Sequence, residues 1–246
     1  LFIYMANVLQ RSGIIEDLFD AMQVWFGPLR GGLAIGTIVI CTIMAAMTGI
    51  VGAATASMGL LALPAMLSRR YDKKLSLGVI CAGGTLGILI PPSVITVVYA
   101  VTAGLSIGEM FIGGIGPGLL LSAIYVTYVA IRCLVRPEMG PVPSKADRAA
   151  VTWKRRMQTL RSVILPVLIV ISVLGSIYAG IATPTEAAGV GCVGAVVSAV
   201  IYRRLNRELL IQSAFTTVNV TAMILWITIG ARCFISVFGA VGGADL

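Results

Sequence analysis

The residues best suited to do chemistry form a glycine-rich run closed by a proline pair, GTLGILIPPS at positions 84–93. Each proline removes a backbone N–H and clashes with the turn before it, so a helix through Pro91 and Pro92 must break. A helix broken inside a bilayer frees carbonyls that can coordinate a cation. It also exposes a half-helix N-terminus that favours an anion such as a carboxylate. Ser93 and Thr96 add hydroxyls to that place. The competing explanation is a plain proline kink filled by neighbouring helices. The Pro-Pro-Ser triplet, with Gly83, Gly84 and Gly87 ahead of it, favours a binding site. A second candidate is the small-residue stretch from Thr48 to Gly59, which suits either the tip of a re-entrant hairpin or close helix packing. A third, ATPTEAAG at 182–189, has the grammar of a capping box. Thr183 is the N-cap, Pro184 opens the first turn and Glu186 stands at the third position, a structural role.

Other chemistries are poorly served. The chain has no histidine, the commonest general base and metal ligand. Its five cysteines are scattered and form no CxxC, which supports neither a disulfide framework nor a metal site. GLSIG at 104–108 matches a nucleophile elbow by letter only, because it lies between apolar spans and has no histidine to activate Ser106. GVGCVG at 189–194 matches a dinucleotide fingerprint but sits inside an apolar run, where small residues let helices approach. An intramembrane enzyme would need paired acids, a Ser-Lys pair or metal ligands within the spans, and none is visible. A purely structural subunit leaves the Pro-Pro break beside a small-residue hairpin without a purpose.

The elements that position these residues are membrane helices. Of 246 residues 58% are apolar and only 11% charged, too few to cover a soluble surface. Residues 1–9 read as the end of a span. Residues 12–27 read as an amphipathic helix, with Ile14, Ile15, Leu18, Phe19, Met22, Trp25 and Phe26 on one face and Glu16, Asp17, Asp20 and Gln23 on the other. Such a helix lies in the membrane interface or packs on a partner helix. Residues 31–67 form a hairpin of two arms, each short for a crossing, with the small-residue stretch as open backbone between them. A broken helix follows at 75–103, then a loop at 104–110, a span at 111–131, a basic loop at 132–161, a span at 162–180, another ending near Tyr202, and a last apolar block from Ile211.

The formal charge of +8 lies in short loops between apolar blocks, which is a topology signal rather than a nucleic-acid surface. If the hairpin returns to its own side, 17 of the 18 Lys and Arg fall on one face. The opposite loops carry Glu109 and Glu186 and no cation. The positive-inside rule then makes loops 68–74, 132–161 and 203–208 cytoplasmic. Arg232 is the exception, inside or beside the last apolar block. A weak echo of the opening segment near the end, apolar run, Arg, apolar, Gly, acid, Leu, is what an inverted repeat predicts. The chain opens inside an apolar segment and ends at VGGADL, just after another, so it reads as a fragment cut at both ends.

The hairpin followed by LPAML, CAGGTLGILIPPS, GLSIGEMFIGGIGPGLLL and YAGIATPTEAAGVG, in that order, resemble the large membrane subunit of tripartite ATP-independent periplasmic (TRAP) transporters over nearly the whole chain. The resemblance implies an all-α elevator-type fold with inverted repeats, each holding a re-entrant hairpin and a broken helix. Residues 1–131 would end the first repeat and residues 162–246 begin the second. It implies a sodium-coupled importer of an organic acid such as a C4-dicarboxylate, working in the bacterial inner membrane with a small membrane subunit and a periplasmic substrate-binding protein. It implies no cofactor and no metal beyond the coupling sodium ion. The ion would be held by Thr48, Gly49, Gly52, Ala53 and Thr55 of the hairpin tip with Ile90, Pro91, Pro92 and Ser93 of the break. Ser93 and Thr96 would face substrate. Many members have Ser-Gly-Ser-Ser at the tip, where this chain has Thr48, Gly49, Ile50 and Val51, which shifts coordination toward carbonyls. A divalent-anion/sodium transporter that needs no binding protein is the alternative.

Overall fold

The computed structural model describes residues 1–141 and 153–241. Among them are ten α-helices: α1 (Phe2–Arg11), α2 (Ile14–Phe26), α3 (Gly32–Thr48), α4 (Val51–Ser68), α5 (Lys73–Leu89), α6 (Val94–Ala103), α7 (Ile107–Val135), α8 (Trp153–Tyr178), α9 (Pro184–Ile201) and α10 (Arg207–Ala240). The chain is an all-α polytopic membrane protein. Five segments are long and apolar enough to cross a bilayer: Val51–Ser68, Lys73–Ala103, Ile107–Val135, Pro184–Ile201 and Arg207–Ala240. In hydrocarbon a helix satisfies its own backbone, which is why apolar runs of this length adopt no other form.

α3 is the centre of the molecule. Thirteen of its 17 residues are buried, because α1, α2, α4, α5 and α7 surround it. Its side chains Ile38, Ile40, Cys41 and Met44 anchor the apolar core. α10, by contrast, buries only Leu209 and Ser213. It is held to α1 by a polar ladder: Asn7 Nδ2 donates to Thr217 Oγ1 (3.0 Å), and Arg11 donates to Gln212 (2.6 Å) and Thr216 (2.9 Å).

α2 gathers contacts from several distant segments. α2 packs on α3 and α8, and its buried stripe is Ile14, Ile15, Leu18 and Phe19 with Ala21 and Val24. Along its length it meets cations from three distant segments. Arg204 bonds the Ser12 carbonyl and Asp17 at 3.1 Å each, Arg69 bonds Gln23 at 3.3 Å, and Arg156 stacks on the Trp25 ring. The hairpin starts and ends on this same face: the Leu33 N–H donates to the Tyr71 hydroxyl, and the Asp72 N–H to the Met139 carbonyl. Burial raises the Tyr71 phenol above its ordinary pKa, so it stays protonated at this junction. On the opposite side the start of α7 lies against the end of α8, where Gly108 faces Ile177.

Several boundaries differ from the expectation. The loop at 104–110 shrinks to 104–106, because Ser106 caps α7 by accepting the Glu109 N–H. α7 runs on to Val135 and α8 begins at Trp153, so the basic loop is shorter than 132–161, and its residues 142–152 lie outside the described residues. α10 starts at Arg207 and continues through Arg232 to Ala240. The opening segment instead breaks at Ser12 and Gly13, so the echo between the two does not extend to their helix boundaries.

Candidate functional site

Two features from the sequence meet at one place. The hairpin turns between α3 and α4 at Gly49 and Ile50, and this turn rests on the break between α5 and α6. Gly49 adopts φ +58°, a conformation that a side chain disfavours. A Cβ there would also run into the Pro92 carbonyl oxygen and lie 3.0 Å from Ser93 Cα. Tip and break are therefore in backbone contact, which only glycine permits.

The small-residue stretch has a different role from the one expected. Open backbone is confined to the tip, since α4 is helical from Val51. The small residues after it pack the hairpin onto α5. A side chain at Gly84 would collide with the Thr55 hydroxyl, Gly87 lies against Ile50 and Val51, and Gly83 lies against Cys41 of α3. Small residues on both helices let the backbones approach, and this packing keeps the stretch helical. α4 has 18 residues and meets the length for a crossing, and its first residues lie at the tip against the break.

The break itself is sharp. Pro64, Pro117 and Pro166 sit inside continuous helices, whereas the Pro91–Pro92 pair ends α5 at Leu89. Two adjacent missing donors cannot be bridged by one displaced turn. α7 supports the break from behind: a Cβ on Gly114 would come within 2.6 Å of the Leu89 carbonyl, and one on Gly118 within 2.6 Å of Ile90. The GGIGPG run at 113–118 was the available signal for this support. Thr42 of α3 and Ser122 of α7 share a hydrogen bond of 2.7 Å that ties the hairpin to the same helix. With about 1.5 Å of rise per residue, α3 and α5 each carry their ends about 25 Å from the basic face, inside a bilayer about 30 Å thick in its core.

Four helix ends converge here. The C-termini of α3 and α5 present carbonyls, and the N-termini of α4 and α6 present N–H groups with no side-chain cap. Carbonyl ends favour a cation and N–H ends an anion. Thr48, Gly49, Ile90, Pro91, Pro92 and Ser93 are all buried at this junction. Ser93 is 1% exposed and its hydroxyl has no hydrogen-bond partner, a state it shares with the hydroxyls of Tyr178, Ser198 and Ser213. An unpaired buried hydroxyl costs about 1–3 kcal/mol. The Thr48 and Thr55 hydroxyls instead donate to carbonyls one turn back, those of Met44 (2.9 Å) and Val51 (2.9 Å). Each keeps lone pairs for another partner. Thr96 reaches back across the break to the Ile88 carbonyl at 3.4 Å. Ala53 is half-buried beside the tip. Gly52 is exposed, with nothing within 4 Å of where its Cβ would be, so it stands outside the cluster.

The third motif is structural. Thr183 N–H donates to Glu186 Oε2 at 2.8 Å, and Glu186 N–H to Thr183 Oγ1 at 3.4 Å, a complete capping box with Pro184 in the first turn. Within GVGCVG, Gly191 packs on Met5 and Val173, and Gly194 on Ile169, so these glycines serve helix packing.

A polytopic bundle whose hairpin tip meets a broken helix is an architecture found in membrane transport proteins. The chain belongs to the DctM component family of the tripartite ATP-independent periplasmic transporters, whose family model matches residues 1–245. Members of that family are permease components of transporters. It is 34% identical over 236 residues to the C4-dicarboxylate TRAP transporter large permease protein DctM of Pseudomonas aeruginosa, covering 95% of this chain and 53% of that protein. It is 32% identical to the ectoine/5-hydroxyectoine TRAP transporter large permease protein UehC of Ruegeria pomeroyi, covering 100% and 58%. It is 29% identical to the sialic acid TRAP transporter large permease protein SiaM of Vibrio cholerae, covering 95% and 53%. The chain spans about half the length of the curated relatives it matches.

Proposed function

We propose that the whole protein imports an organic acid by sodium-coupled secondary transport, and that the tip–break junction is one of its sodium sites. The observation that carries this reading is the Ser93 hydroxyl, buried and unpartnered among four converging helix ends. The carbonyl ends of α3 and α5, with Thr48 and Ser93, hold the cation. The uncapped N–H ends of α4 and α6 attract the carboxylate beside it. Cation and anion then offset each other's charge inside the bilayer, which couples their binding. Thr55 and Ala53 support the tip, and Thr96 faces the substrate side of the break.

Residues 1–131 end a first inverted repeat and residues 162–246 begin a second, whose own hairpin completes the substrate cavity. The protein works in the bacterial inner membrane with the basic face, including loops 68–74 and 203–208, in the cytoplasm. A periplasmic binding protein delivers the acid, and a small membrane subunit braces the bundle. The relatives are named for different substrates, C4-dicarboxylate, ectoine and sialic acid. The test is uptake by full-length protein reconstituted with both partners. An inward sodium gradient should drive accumulation. Equal uptake when potassium replaces sodium would refute the coupling.

A further inference from the structure

A cavity of about 970 Å³ opens between α5 and α7 at the basic face, away from the tip–break junction. Its mouth carries Arg70, Lys74, Arg132 and Arg136, against the carboxylates of Asp72 and Glu138. Asp72 is already engaged, because its Oδ1 accepts the Leu75 N–H as the cap of α5. Among the described residues none of the four cations takes part in a salt bridge. The Arg132 Nε is buried without a hydrogen-bond partner, and its guanidinium stacks on the Tyr128 ring at 5.9 Å. Deeper in, the wall turns apolar, with Gly78, Ala82, Ile124 and Val129.

The shape is that of an amphiphile. From Arg136 to Ile124 along α7 is about 18 Å, and from Lys74 to Ala82 along α5 about 12 Å, at about 1.5 Å per residue. That depth matches one leaflet, about 15 Å of hydrocarbon. A free anion would use the mouth and leave the apolar depth unfilled. A neutral lipid would fill the depth and leave the cations unpaired. We propose that this cavity binds one anionic phospholipid of the leaflet on the basic face. Its phosphate sits among Arg70, Lys74, Arg132 and Arg136, and an acyl chain lies along Gly78, Ala82 and Ile124. The lipid would join the loop after the hairpin to the end of α7, the helix that backs the break, and so make the bundle's stability depend on membrane composition.

Native mass spectrometry of the full-length protein, titrated with phosphatidylglycerol or phosphatidylcholine, tests this. The wild type should bind one phosphatidylglycerol at least tenfold more tightly than phosphatidylcholine. The R132Q/R136Q double variant should weaken phosphatidylglycerol about thirtyfold, the equivalent of about 1 kcal/mol for each cation near a membrane surface. Gly78→Phe, at a position whose Cβ would meet nothing within 4 Å, fills the cavity while keeping every charge, and should also abolish tight binding. R203Q/R207Q, on the same face outside the cavity, should leave it unchanged. Equal binding of the two lipids would overturn the proposal, as would displacement of phosphatidylglycerol by millimolar inorganic phosphate. Loss in R132Q/R136Q with full binding in Gly78→Phe would reduce the effect to surface charge and equally overturn the cavity.

Discussion

Gly49 and Gly52 lie three positions apart in the same hairpin, and the structure assigns them opposite consequences. Gly49→Ala forces a non-glycine residue to φ +58°. The left-handed conformation costs such a residue about 1–2 kcal/mol. The added methyl also collides with the Pro92 carbonyl oxygen and sits 3.0 Å from Ser93 Cα. Carbon atoms settle at about 3.5–4.0 Å, so tip and break must part by about 0.5–1 Å. An ion site made of carbonyls from both sides does not survive that separation. Gly52→Ala meets nothing within 4 Å and replaces a glycine inside a helix, so it should be neutral or stabilising by up to about 1 kcal/mol. The assay is sodium-driven uptake in proteoliposomes, with monodispersity on size exclusion as the check on insertion. Gly49→Ala should lose at least tenfold in initial rate and Gly52→Ala should match the wild type. Wild-type uptake by Gly49→Ala, or equal impairment by both, would refute the backbone contact between tip and break.

Two further outcomes follow from the same geometry. Thr183→Ala removes both directions of the capping box and should lower thermal stability by about 1 kcal/mol while leaving the apparent KM for substrate unchanged, because the cap lies away from the junction. In a background without native cysteines, Arg70→Cys and Glu109→Cys should be labelled by an impermeant thiol reagent from opposite sides of the membrane. Labelling from the same side would contradict the two-faced arrangement.

Much of this was legible in the sequence because the bilayer leaves little choice. Apolar length, the proline pair and the positions of Lys and Arg predict helices, a break and a basic face from local information. The capping box at Thr183 is equally local. What the sequence did not disclose depends on contacts across the chain. The stretch after Gly49 looked like open backbone, but Gly83, Gly84 and Gly87 on α5 pack against the hairpin and keep the stretch helical. Gly52 reads like Gly49 in a list of letters, but Gly49 sits in the turn at φ +58° against Pro92 while Gly52 lies inside α4 with open space around it. Ser106 and Glu109 carried a cap signal that would have shortened the loop before α7. The Asn7–Thr217 bond joins residues 210 apart in the chain, beyond any pattern.

On the proposed function, the Ser93 hydroxyl is a ligand for sodium. Sodium-dependent thermal stabilisation of the full-length protein, wild type against Ser93→Ala, measures this most directly. Removing an unpaired buried hydroxyl should leave stability without sodium equal to the wild type or higher. The upward shift in Tm that sodium gives the wild type should shrink or vanish in Ser93→Ala. A sodium shift in Ser93→Ala as large as in the wild type would place the ion elsewhere and contradict the account.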